Sequence, residues 1–148
     1  MEALEGELVV STNDERYYEY MLRRSREEDL KMRKSKDMIW VTFAKEGIHC
    51  YPDAPEGVEF LKHPHRHMFH FRVELEVKHD NRDVEFILFK RELEALYDGG
   101  TMQLDYKSCE MMARELAEYI MDNYPNRDLA IEVSEDLENG CRLTFPNL

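Results

Sequence analysis

Strict alternation of apolar and polar positions marks two stretches of this chain. From His65 the odd positions read His65, His67, Phe69, Phe71, Val73, Leu75 and Val77, and the even ones Arg66, Met68, His70, Arg72, Glu74, Glu76 and Lys78. Successive side chains on a strand point to opposite faces, so the pattern predicts a strand with one apolar and one wet face. Ile39, Val41 and Phe43 alternate in the same way, and their parity runs on through Lys45 and Gly47 to His49. Residues 51–62 hold Pro52, Pro55 and Gly57 and read as a connecting loop; residues 79–83 read as a turn. Phe86, Phe89, Leu93, Leu96 and Tyr97 then recur at helical spacing, and Gly99-Gly100 stops that helix. A second helix from about Ser108 to Asn123 carries Met112, Leu116, Tyr119 and Ile120 on one side, with Pro125 just beyond. Leu129, Ile131 and Val133, then Cys141, Leu143 and Phe145, predict two short closing strands joined through Asn139-Gly140.

The resulting order, β-β-α-α-β-β, is that of an α+β fold with a four-stranded antiparallel sheet and two helices on one face. A charged entrance precedes it. Residues 13–36 lack Gly and Pro and are rich in helix formers, Thr12 with Glu15 resembles a capping box, and Tyr17, Tyr20, Met21 and Arg24 draw a thin apolar stripe. The expectation is a helical extension over residues 1–37 whose stripe covers one short patch, and a single body over residues 38–148.

Composition narrows the classes. A hydrophobic content of 43% in 148 residues suffices for a sizeable core. With 32 acidic against 20 basic residues the formal charge is −12, which disfavours nucleic-acid binding, because that mode needs basic groups to displace counterions from phosphates. No apolar run approaches the roughly 18 residues of a spanning helix, and the acidic start Met1-Glu2-Ala3-Leu4-Glu5 lacks a signal peptide's basic and apolar regions. The expected setting is therefore cytoplasmic, with no membrane partner. Cys50, Cys109 and Cys141 form no C-x-x-C, and their odd number suggests reduced thiols.

Candidate chemistry lies in the histidines. In H-x-H on a strand the two imidazoles project the same way, one pleat apart, within reach of a single ion. His65 and His67 have that spacing, and His49 ends the neighbouring predicted strand at the parity of its apolar residues. Three imidazoles with an open fourth position suit a catalytic Zn²⁺, whereas structural zinc is normally closed by four ligands. A His-rich loop mouth ahead of a buried strand is the plainer reading of the same letters. His63 shares the parity but precedes Pro64, and His70 falls on the opposite face.

The run Gly47-Ile48-His49-Cys50-Tyr51-Pro52-Asp53-Ala54-Pro55-Glu56-Gly57, then His65-Arg66-His67-Met68-Phe69 and Arg72-Val73-Glu74-Leu75-Glu76-Val77, resembles the 6-pyruvoyl-tetrahydropterin synthase and 6-carboxy-tetrahydropterin synthase (QueD) family. Its members have the tunnelling fold, a His-ended strand, and H-G-H heading a strand of the R-V-E-V kind. The likeness covers about residues 38–146. It implies that His49, His65 and His67 are zinc ligands. It also matches Val84-Glu85-Phe86 with the entrance to the first helix, and Ser108-Cys109-Glu110 with the start of the second. Glu135 in Val133-Ser134-Glu135 is implied to anchor a pterin's edge, since a carboxylate takes two N–H donors side by side; the plainer alternative is a Glu135 that only faces water.

Departures from the family pattern bear on catalysis. The family's Cys, four residues before the first His of H-G-H, is here Leu61, and Glu59 is the nearest replacement. The family's L-D-H becomes Leu104-Asp105-Tyr106, keeping the Asp without the His. Each positioned acid or base is typically worth about 10²–10⁴-fold in rate, so losing both reduces turnover while sparing binding. One expectation is thus a divergent, zinc-dependent lyase of the pterin synthase kind, acting on a dihydroneopterin-triphosphate-like substrate with Glu59, Asp105 or His70 as substitutes. The other is a non-catalytic binder that captures or senses a pterin- or purine-type nucleotide. A purely structural oligomer is the third. Family members assemble as trimers stacked into hexamers with the pocket between subunits, so a homo-oligomer is implied.

Overall fold

The structure, a computed structural model, describes residues 12–32 and 35–148. Two compact units divide the chain, Met1–Ser35 and Lys36–Leu148.

The described part of the first unit is one helix, α1 (Thr12–Met32). Its ion pairs Arg23–Glu27 and Arg24–Glu28 sit one turn apart on an exposed face, where such pairs contribute little. Tyr17, Tyr20 and Met21, the expected stripe, are exposed. The capping interaction expected of Thr12 lies outside the described side chains.

In the second unit β1 (Met38–His49), a 3-10 turn (Glu59–Lys62), β2 (His65–Glu76), α2 (Phe86–Ala95), β3 (Met102–Asp105), α3 (Cys109–Asn123), β4 (Leu129–Glu135) and β5 (Asn139–Phe145) follow in order. The class is α+β, but the sheet has five strands, in the order β3-β1-β2-β4-β5, and is mixed. This corrects the expected four-stranded antiparallel sheet. The antiparallel pairs β1–β2, β2–β4 and β4–β5 are joined by the short β3, which runs parallel to β1 across a register shift at Ile48/His49. Met102-Gln103-Leu104-Asp105 buries only Leu104, so four residues give alternation too little length to register.

The register stacks one apolar face. Val41 pairs with Val73 and Phe43 with Phe71, while Val73 and Phe71 pair on their other side with Ile131 and Val133. Phe89 and Leu93 of α2 and Met112, Leu116 and Ile120 of α3 complete the buried core on these residues. Each such side chain removed from water contributes roughly 1.5–3 kcal/mol. Phe43 and Phe71 stack at 4.7 Å. Glu85 caps α2 by accepting from the Ile87 and Leu88 backbone N–H groups, and Ser108 caps α3 by accepting from Met111. The opposite sheet face is wet: the Arg72 guanidinium lies 4.3 Å over the Trp40 ring, and Arg142 bridges Glu74 and Glu132 across strands. No helix among the described residues is long and apolar enough to cross a membrane.

The closing hairpin turns earlier than its sequence suggests. Asn139 and Gly140 belong to β5, paired with Glu135 and Ser134, and the turn is Asp136-Leu137-Glu138. Gly140 is needed inside the strand: a Cβ there would lie 2.4 Å from the Val133 carbonyl oxygen and 2.7 Å from the Ser134 Cβ. Asp136 and Leu137 instead take the left-handed conformation, at φ 52° and 60°.

Candidate metal centre

Strand pairing brings the three histidines together. His49 and His65 are direct partners in the β1–β2 ladder, and His67 is one pleat further along β2, opposite Gly47. All three project to the apolar face, at the end of the core where the sheet opens. Ring centroids are 4.6 Å apart for His49 and His65, 5.0 Å for His65 and His67, and 5.3 Å for His49 and His67. One ligand nitrogen from each lies within 4.8 Å of the others. Phe69 supports the group from below, its ring edge-to-face with His49 at 5.1 Å. Gly47 leaves the room for this, since a Cβ at that position would sit 2.9 Å from the Phe69 ring and 2.8 Å from Leu104.

Every ring has its Nδ1 engaged by an acceptor. His49 Nδ1 is 2.9 Å from the Lys107 carbonyl oxygen, His65 Nδ1 is 2.8 Å from the His63 carbonyl oxygen, and His67 Nδ1 is 2.6 Å from Asp136 Oδ2. Carbonyls and carboxylates can only accept, so each Nδ1 carries a proton, and Nε2 is the nitrogen left for a metal to take. The Nε2 atoms of His49 and His67 are buried without a hydrogen-bond partner. Buried polar atoms are ordinarily satisfied. Unbonded ring nitrogens brought together on rings whose other nitrogen is pinned are the arrangement of metal-ligating histidines. The residues therefore fit a metal ion, and imidazole donors suit zinc among several transition metals.

Two carboxylates border the cluster. Asp136 accepts from His67 and from the Met68 backbone N–H, and these bonds hold its carboxyl below the usual carboxylate range. Glu135 places Oε1 3.2 Å from His49 Nε2 and Oε2 3.5 Å from His67 Nε2, so its carboxylate faces the cluster and not simply water. A cavity of about 500 Å³ opens beside the cluster, walled by His49, His65, Leu61, Tyr106, Cys109 and Glu135 among others. Burial, and then the nearby Glu135 carboxylate, push the Cys109 thiol up to about 12, so it stays protonated at neutral pH.

The expected substitutes for the proton-transfer groups do not line this cavity. Glu59 is exposed and accepts from the Gly57 backbone N–H. Asp105 is exposed at the end of β3, where its carbonyl accepts from Cys50. His70 lies on the opposite sheet face, and His63 is exposed, contributing its carbonyl to His65. Leu61, by contrast, reaches the cavity wall and makes it apolar there.

Sequence reasoning missed three contributors. Asp136 follows the last residue of β4, outside any periodic pattern, and only its left-handed turn returns the carboxylate to His67. Lys107 acts through its carbonyl, which no side-chain motif reports. Cys50 lines the cavity, where continued strand alternation after His49 would turn it to the far face; β1 ends at His49, and beyond it parity no longer applies. No protein-family model matches the chain, and no curated protein matches it.

Proposed function

We propose that this protein is a zinc-binding member of the tunnelling-fold kind that captures a pterin- or purine-type nucleotide in the cavity beside the metal. The observation that carries the reading is the cluster of His49, His65 and His67, whose ligand nitrogens lie within 4.8 Å of one another and whose His49 and His67 Nε2 atoms are buried without a hydrogen bond, next to a cavity wide enough for a fused heterocycle. His49, His65 and His67 hold the ion, which when bound supplies a Lewis acid toward ligand oxygens. Glu135, shared between cluster and cavity, takes the N–H donors of the heterocycle's edge. Binding is favoured over turnover because Leu61 replaces the nucleophile-sized thiol and the Cys109 thiol is held protonated. One observation favours a lyase instead: Cys50 reaches the cavity wall.

Assembly follows the same reading. The free edge strand β5 carries Asn139 and Gly140 at the cavity wall, so a second copy pairing along that edge would cover the opening and complete the pocket.

Mass spectrometry of small molecules released from the purified protein, run beside a turnover assay with dihydroneopterin triphosphate and added zinc, tests the proposal. A stoichiometric heterocycle without product formation supports capture. Steady product formation supports the lyase, and neither ligand nor product contradicts both.

A further inference from the structure

We propose that Glu135 is the fourth protein ligand of the metal, closing its coordination in the absence of a small molecule. The inference rests on the three-histidine site of the preceding section and adds one residue to it.

Parity puts Glu135 in place. Leu129, Ile131 and Val133 of β4 face the core, and Glu135 continues that series at the strand's end, paired with Phe69 in the β2–β4 ladder. Its carboxylate thereby projects over the ring that supports the histidines. Oε1 lies 3.2 Å from His49 Nε2 and Oε2 3.5 Å from His67 Nε2. Two ligands of a tetrahedral zinc, each bound at about 2.05 Å, lie about 3.3 Å apart. The two contacts are close to that edge, each made by a different oxygen of the carboxylate, so a small rotation of the Glu135 side chain would bring one oxygen to the ion.

Hydrogen bonding leaves the same atoms open. The Nδ1 atoms of His49 and His67 are engaged by the Lys107 carbonyl and by Asp136, so the Nε2 atoms are the ones turned to the Glu135 carboxylate. Neither Nε2 makes a hydrogen bond, and both are buried, His49 being 8% exposed. A divalent cation between the imidazoles and the carboxylate would satisfy all of them. Among the described residues, a further polar hydrogen near Glu135 is that of the Cys109 thiol at 4.0 Å, too weak a donor to hold the carboxylate.

Three imidazoles and one carboxylate saturate the ion. A heterocycle that offered its N–H groups to Glu135 would compete with the metal for the same carboxylate. Ligand capture and metal access are coupled through one side chain.

Cobalt(II) substituted for zinc is the probe, read through its visible d–d absorption during titration with azide. Wild-type protein is expected to show a four-coordinate spectrum that azide does not change. Glu135→Ala and Glu135→Gln are expected to become azide-sensitive and to lose zinc affinity by at least as much as removal of an outer-shell partner, roughly 10–100-fold. The wild-type titration is decisive even where a variant misfolds: a wild-type spectrum that shifts with azide overturns the proposal. So does a folded Glu135→Ala protein with unchanged zinc affinity. Cobalt uptake abolished by His65→Ala but indifferent to Glu135 leaves the three-histidine site standing and overturns the fourth ligand alone; no uptake by the wild type overturns both.

Discussion

His67 Nδ1 donates to Asp136 Oδ2 across 2.6 Å, joining the second residue of the H-x-H pair to the first residue of the β4–β5 turn. The same carboxylate accepts from the Met68 backbone N–H through its other oxygen, so the turn is fastened to β2 beside the ring it orients. This is the carboxylate–histidine pairing that fixes tautomer and ring direction in metal sites.

Replacing Asp136 with Ala is expected to weaken zinc binding by roughly 10–100-fold, and replacement with Asn by less, since an amide oxygen still accepts the Nδ1 proton. Chelator competition measures both affinities, with thermal unfolding as the control for the turn. An Ala variant with wild-type affinity would show that His67 needs no orienting partner.

Gly47 links core packing to the histidine cluster. A methyl group there would meet the Phe69 ring at 2.9 Å and Leu104 at 2.8 Å, and Phe69 is fully buried beneath His49 and His67. Gly47→Ala should destabilise the fold by about 1–3 kcal/mol, as overpacking does, and should weaken zinc binding by displacing the rings. Denaturant unfolding and zinc titration on the same preparation measure the two effects.

Acid sensitivity is expected from Asp83. Its hydrogen bond with Arg127 at 2.7 Å, reinforced by the Lys78 backbone N–H, holds the carboxyl below its usual range. A depressed folded value means the contribution is fully present above the unfolded value, about 3.9, and is lost as pH falls through the lower folded value. Melting temperatures of wild type and Asp83→Asn should therefore differ near neutrality and begin to approach one another only as pH falls below about 4. A gap that stays constant down to acid pH would contradict this origin.

Much of this architecture is legible in the residues, and the exceptions have physical causes. The long alternations in β1 and β2 announce their faces because burying one face requires apolar groups at every second position, and that parity also aligns His49, His65 and His67. The helices show through spacing and through their stops. β3 escapes because parallel pairing on an existing edge needs only four residues and one buried side chain. The hairpin misleads because Asn139-Gly140 looks like a turn, while Gly140 is required by close approach of the neighbouring backbone. At the site, the strand-borne ligands are readable, but Asp136 and the Lys107 carbonyl depend on chain reversals that carry no period. Glu59, Asp105 and His70 do not line the cavity, because their places on a 3-10 turn, a strand end and the opposite sheet face follow from chain reversals and pairing that no short motif reports.

Zinc content measured by elemental analysis on wild-type protein and on a His49→Ala, His65→Ala, His67→Ala triple variant tests the central claim most directly. Stoichiometric zinc in the wild type, abolished in a folded triple variant, is the predicted result. Equal zinc in the two proteins, or a wild type that takes up none when zinc is supplied, would contradict it.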